Sequence, residues 1–170
     1  MKRWVALVLS VMFVAGCTSG QRTPQPSNLG GTWQWDNGKS DPLMSRGGKA
    51  LLDADVTLII EHQEPVLNIQ RVVSSPQGGQ TRRLHYSTDG QENANPSVRG
   101  TEVRTTSRWD RGKLVTEGRR TIDSPMGKVA LSSTETWTLS PDGRTLTIDA
   151  KTAVPGGFEI THKEVFRKKG

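Results

Sequence analysis

From Val56 to Phe166 the chain alternates apolar and polar residues with a period of two, and that rhythm leaves few folds open to it. Val56, Leu58 and Ile60 share one strand face, as do Leu67, Ile69, Arg71 and Val73, and then Leu84 and Tyr86. Val103-Thr105-Ser107-Trp109, Leu114-Thr116-Gly118-Arg120-Ile122 and Val129-Leu131-Ser133-Glu135-Trp137-Leu139 continue the pattern. Leu146-Ile148-Ala150 and Phe158-Ile160-His162-Glu164-Phe166 complete it. The breaks carry turn chemistry: Glu64-Pro65, Ser75-Pro76-Gln77-Gly78, Thr88-Asp89-Gly90, Asp110-Arg111-Gly112, Ser124-Pro125-Met126-Gly127, Pro141-Asp142-Gly143 and Pro155-Gly156-Gly157. With Gly31–Asp36 as a first strand, about nine strands follow one another through short loops. The one long gap, Asn37 to Asp55, has room for a turn of helix around Ala50-Leu51-Leu52. Short hairpins without crossover helices make neighbours antiparallel. The expectation is an all-β fold, an antiparallel up-and-down barrel or half-barrel of about 8–10 strands.

Composition asks whether such a chain can fold at all. Only 32% of the 170 residues are hydrophobic, and the mean hydropathy is −0.56. Disorder also calls for high net charge, and the balance of 23 Lys and Arg against 17 Asp and Glu is only +6. The 18 threonines and the turn signals favour strands. A thin core shared among many short strands suits a small or hollow barrel.

The first residues are a separate matter. Lys2 and Arg3 precede an apolar run from Trp4 to Val14, too short for a bilayer span of roughly 20 residues but suited to a signal peptide. The run ends in Val14-Ala15-Gly16-Cys17, which resembles the lipobox of bacterial lipoproteins. That resemblance implies cleavage before Cys17, the only cysteine, and a diacylglyceryl thioether on it with an acylated N-terminus. Residues 1–16 are then a leader, 17–30 a lipidated N-terminus and tether containing Pro24 and Pro26, and 31–170 the barrel domain. Thr18, where an aspartate often marks inner-membrane retention, points by the same resemblance to the outer membrane, with the domain in the periplasm. Cleavage also removes Lys2 and Arg3, so the net charge falls to +4 and the basic balance is no partner signal.

The strand faces suggest where chemistry lies. Arg120 stands between Leu114 and Ile122, Glu135 between Leu131 and Trp137, and His162 and Glu164 between Ile160 and Phe166. A solid apolar core does not choose unpaired charge. Either these side chains form a polar cluster in a partly hydrated lumen, fit to orient the polar or anionic head of a ligand, or the faces are reversed and they meet solvent. Trp33, Trp109 and Trp137 either plug a barrel end or stack on a ligand, and Trp35 shares the face of Trp33. The candidate lumen set is therefore Trp33, Trp109, Arg120, Glu135, Trp137, His162 and Glu164.

No HExxH, GxSxG, GxGxxG or GxxxxGK string is present, so the chain reads as no enzyme with no cofactor. His62, His85 and His162 lie on separate strands without metal-ligand spacing, and Asp53 and Asp55 do not continue into a calcium loop. Arg82-Arg83, Arg119-Arg120 and Arg167-Lys168-Lys169 are dispersed, which speaks against nucleic acid. The last run is either a solvated end or a contact for anionic lipid head groups.

Gly31-x-Trp33 opening the first strand, followed by VTLIIEH, YSTDGQE, SRWDRGKLVTEG, TETWTLSPDGRTLTID and a closing VFRKK, resembles the lipocalin-like, calycin-type barrels over residues 30–168. The resemblance implies a barrel whose motif tryptophan packs at the closed end against a late arginine, here Trp33 with Arg167. It also implies a small amphipathic or lipid-like ligand in the lumen. The alternative is an envelope interaction or assembly protein that uses the barrel as a scaffold and the Asn37–Asp55 loop or an edge strand as its contact.

Overall fold

The computed structural model describes residues 26–44, 50–51, 53–97, 101–124, 127–154 and 156–170. The leader over 1–16, Cys17 and the tether up to residue 25 lie outside them. Ten strands follow in chain order: β1 (Gly31–Trp35), β2 (Asp55–Gln63), β3 (Val66–Ser75), β4 (Gly78–Ser87) and β5 (Asp89–Pro96), then β6 (Glu102–Asp110), β7 (Lys113–Ser124), β8 (Gly127–Leu139), β9 (Thr145–Val154) and β10 (Phe158–Lys168). There is no helix among the described residues. Ala50 pairs with Met44 in an antiparallel bridge and Leu51 donates its N–H to the Leu43 carbonyl, so neither belongs to the expected helical turn. Leu52 lies outside the described residues.

All ladders are antiparallel, and the sheet runs β4-β3-β2-β1-β10-β9-β8-β7-β6-β5. The first and last strands pair with each other, Trp33 opposite Lys168 and Trp35 opposite Phe166, and the sheet curls into a nearly closed barrel. Its two edges, β4 and β5, are consecutive in the chain and meet in a seam. The tenth strand is β5, which sequence periodicity passes over because Asp89–Pro96 carries no large apolar side chain on either face. It forms as the antiparallel partner of β6, with a register shift between Asp89 and Glu92.

Because successive strands alternate in direction, the start of β1 and the end of β10 lie at the same end of the barrel. The β2–β3, β4–β5, β6–β7 and β8–β9 turns lie there too. That end is filled. Leu29, Trp33, Leu58, Leu67, Leu114, Leu146 and Phe166 are all but inaccessible to water. Each such side chain contributes roughly 1.5–3 kcal/mol by burial. Along β7 the inward face runs from buried Leu114, Thr116 and Gly118 to half-buried Arg120 and Ile122. Along β10 it runs from buried Phe166 and Glu164 through half-buried His162 to Ile160 and Phe158, which are 60% and 71% exposed. The barrel is plugged at one end and open at the other.

The plug makes a prediction. Leu114→Ala is expected to lower the unfolding free energy by about 2–5 kcal/mol in urea titrations. Ile59→Ala, on the outer face of β2, should change it by less than about 0.5 kcal/mol.

Candidate ligand site in the barrel lumen

The inward face of β3 runs Leu67, Ile69, Arg71, so the alternation that buries two aliphatic residues carries a guanidinium into the lumen. Opposite it on β4 is Arg82, which shares a face with Leu84 and Tyr86. Glu164 arrives from β10, two residues before Phe166, and Glu135 from β8, two residues before Trp137. Arg71 grips Glu164 in a two-pronged pair, Nη2 to Oε1 at 2.6 Å and Nη1 to Oε2 at 2.8 Å. His162 Nε2 lies 3.4 Å from the same Oε1. Trp137 donates Nε1–H to Glu135 Oε2 at 3.2 Å, and its ring meets that of Tyr86 edge-on with centroids 6.1 Å apart.

The electrostatics follow from burial. Burial opposes the charge on Glu164, but the Arg71 guanidinium and His162 overcome it and hold the carboxyl down at about 2. Glu135 goes the other way: burial, with the Glu164 charge adding to it, raises its pKa towards the neutral form. Burial disfavours the Arg71 cation too, yet Glu164 keeps its pKa above the ordinary value. Burial and the facing Arg71 lower that of Arg82. His162 is raised by its hydrogen bond to Glu164, against partial burial. Burial pushes the Tyr86 phenol up, so it stays protonated.

Two guanidinium features of this belt lack a partner. Arg82 forms no ion pair with any described residue, and Arg71 Nε is buried without a hydrogen-bond partner among them. Guanidinium chemistry makes the complement of both a carboxylate, sulfonate or phosphate oxygen.

The sequence-derived candidates divide. Glu135, Trp137, His162 and Glu164 meet in the belt. Arg120 faces inward nearer the mouth, and the strongest cationic influences on Glu135 and Glu164 come from Arg71, Arg82 and His162 instead. Trp33 belongs to the plug and donates Nε1–H to the Leu29 carbonyl at 2.9 Å. Trp109 lies at the plugged rim, 5.9 Å from the His62 ring, and donates to Glu64 Oε1 at 2.8 Å. Glu64 also bonds His62 Nε2 at 2.7 Å and accepts from the Thr88 hydroxyl at 2.5 Å, a polar clasp for the β2–β3 and β4–β5 turns.

The expected Trp33–Arg167 pair is corrected by one residue. Lys168 Nζ stands 5.2 Å from the Trp33 ring centroid, because Lys168 is the ladder partner of Trp33 and shares its face. Arg167 points to the opposite face and pairs with Asp36 at 2.7 Å. Arg71, Arg82 and Tyr86 were missed as site residues. Their signal was present, since a charge on the apolar face of Leu67 and Ile69 is the same anomaly that singled out Arg120. Arg82 entered only with Arg83, as one of the dispersed basic runs.

No family model matches the chain. No curated protein matches it either. Among solved structures it is similar to the REP1-NXSQ fatty acid transporter, with a TM-score of 0.59, 13% identity, and coverage of 84% of this chain and 96% of that one. It is also similar to secretory abundant heat soluble protein 4 from Ramazzottius varieornatus (TM-score 0.54, 16% identity, 83% and 94% covered). The zebrafish ileal bile acid-binding protein complexed with cholic acid is a third (TM-score 0.52, 14% identity, 82% and 98% covered). At these identities the likeness establishes the fold alone: a ten-stranded antiparallel barrel.

Two predictions concern the belt. Arg71→Ala, which strands the Glu164 charge, is expected to cost about 3–5 kcal/mol in urea titrations, and Arg71→Met with Glu164→Leu should recover most of it. The second is the pH dependence. The stability from Glu164 is complete above its ordinary value of 4.5 and is lost as pH falls through about 2, so the deficit of Glu164→Gln relative to wild type shrinks in acid. Glu135 has the opposite sign, its pKa being raised, so Glu135→Gln gains on wild type as pH rises above 4.5. Urea titrations across that range read both differences.

Proposed function

We propose that this chain is a lipid-anchored, non-enzymatic periplasmic protein that binds a small amphipathic ligand with an anionic head group inside its barrel. The observation that carries the reading is the cross-strand pair Arg71 and Arg82, two inward guanidiniums with one carboxylate committed to Arg71 and one buried N–H unmet. The head group takes the Arg82 guanidinium and Arg71 Nε. The ligand's apolar part lies along the inward faces towards the mouth, where Ile122, Val154 and Ile160 follow one another on β7, β9 and β10. Two of the similar structures, the fatty acid transporter and the bile acid-binding protein with cholic acid, carry names for ligands of this chemistry, which supports the reading.

The anchor is Cys17, and its membrane is the outer one, with the barrel in the periplasm. The chain before β1 is docked on the plugged end: Leu29 is buried, its N–H bonds His62 Nδ1 at 3.1 Å, and the Ser27 hydroxyl bonds the Gly112 carbonyl at 3.1 Å. This supports an anchor on the plugged side, with the mouth turned away from the bilayer that holds it.

Titration with 1-anilinonaphthalene-8-sulfonate, followed by displacement with oleate, dodecanol and dodecylamine, tests the ligand. The anion should displace the probe best, and Arg82→Gln should weaken oleate by about tenfold, in line with a lost charge-assisted hydrogen bond. Equal displacement by all three, or none, refutes an anionic ligand. Intact-mass measurement of protein from outer-membrane fractions should show a diacylglyceryl and acyl addition that Cys17→Ser abolishes.

A further inference from the structure

Nine antiparallel ladders join the ten strands, and that between β7 and β8 runs from Leu114 to Ser124. Between β4 and β5 no ladder is formed among the described residues. One side chain stands in for it. The Asn95 amide accepts the His85 N–H at 2.6 Å and donates to the His85 carbonyl at 2.7 Å, the pair of bonds that a facing strand residue exchanges in an antiparallel ladder. Its Nδ2 also donates to Thr105 Oγ1 at 3.0 Å, which ties the amide back to β6. A cavity of about 380 Å³ runs along this seam. It is lined mostly by outward-facing residues of β2 to β5, among them Ile59, Arg83, His85, Ala94 and Pro96, and also by Ile69, Leu84 and Asn95 of the inward faces. Leu84 is two residues from Arg82, so the seam opens beside the guanidinium that lacks an ion pair.

We infer that the β4–β5 seam is a lateral passage for the apolar part of the ligand and that the Asn95 amide is its latch. This deepens the function proposed above and rests on that reading. Every other pair of neighbouring strands is joined by a backbone ladder. Here one amide holds the wall, so the seam is the line along which the barrel opens at least expense. An amphiphile whose head sits on Arg82 passes its tail between Leu84 and Ala94 instead of threading the whole length of the lumen. Asn95 acts through the strand edge it closes, so it is a positioning residue and not a ligand contact.

The experiment uses the full-length chain carrying Cys17→Ser, with 1-anilinonaphthalene-8-sulfonate as the probe in stopped-flow mixing. A passage lowers the barrier in both directions, so Asn95→Ala should raise the association and dissociation rates together by about tenfold and change affinity by less than about threefold. Asn95→Asp keeps the acceptor for the His85 N–H and loses both donated bonds, and should fall between Asn95→Ala and the chain with Asn95 intact. His85→Cys with Ala94→Cys, joined by a short bismaleimide, should slow both rates. Unchanged rates in the unlatched and the bridged proteins overturn the inference, as does a change in affinity without a change in association.

If the probe does not bind the parent chain, the ligand reading fails on its own account. The seam is then judged by thiol labelling of Leu84→Cys. Labelling should quicken when Asn95→Ala is added, at an unchanged urea midpoint, while Leu146→Cys in the plug stays protected. Equal labelling of Leu84→Cys with and without the latch refutes the passage.

Discussion

The plug at one end of the barrel is the constraint on which the rest depends. With only 32% hydrophobic residues the chain cannot fill a ten-stranded barrel throughout. It concentrates its large apolar side chains where the start of β1 and the end of β10 come together. Trp33, Phe166, Leu114 and Leu146 close that end, Leu29 caps it, and the Trp33 indole N–H is met by the Leu29 carbonyl. The ladders carry this order along strands whose distal halves hold no dense core. A polar lumen is affordable only because the plug is dry.

The belt above the plug follows from that division. Two arginines and two glutamates in a buried setting are unfavourable unless their charges are met. The two-pronged Arg71–Glu164 pair, with His162 on the same carboxylate, meets one of each sign. Burial and the Glu164 charge raise the pKa of Glu135, and the Trp137 N–H opposes that only in part. What is left over is the Arg82 guanidinium, without an ion pair among the described residues, and one unmet N–H of Arg71, and these donors give the lumen its preference. The seam adds a second asymmetry: the barrel is weakest at the strand edge nearest that guanidinium.

Much of this was legible in the chain before any coordinates. The alternation through Leu114-Thr116-Gly118-Arg120 and Phe158-Ile160-His162-Glu164-Phe166 assigned the faces correctly, and Glu135, His162, Glu164 and Trp137 do gather in one belt. Strand β5 was illegible because Asp89–Pro96 has no apolar face to alternate; pairing with β6 makes it a strand. Arg71 and Arg82 were legible in parity but not in partnership. The ladder opposes Arg71 to Arg82 on adjacent strands, while the carboxylate that completes the pair is 93 residues away on β10. The Trp33–Arg167 expectation failed by a single residue, and with a period of two a single residue is the other side of the sheet.

The sequence by itself determined the period, the turns, the antiparallel neighbours and the side of the wall on which each charge falls, because these are local consequences of alternation and turn chemistry. It also determined that the core would be thin. Only the tertiary structure decided which end the core would fill, which arginine would take Glu164 and which would be left over. It alone decided that the circle would close through the side chain of Asn95. Those outcomes depend on the curl of the whole sheet, which brings β3 to face β10 across the lumen and β4 beside β5. No stretch of sequence short enough to show a pattern contains both sides of either meeting.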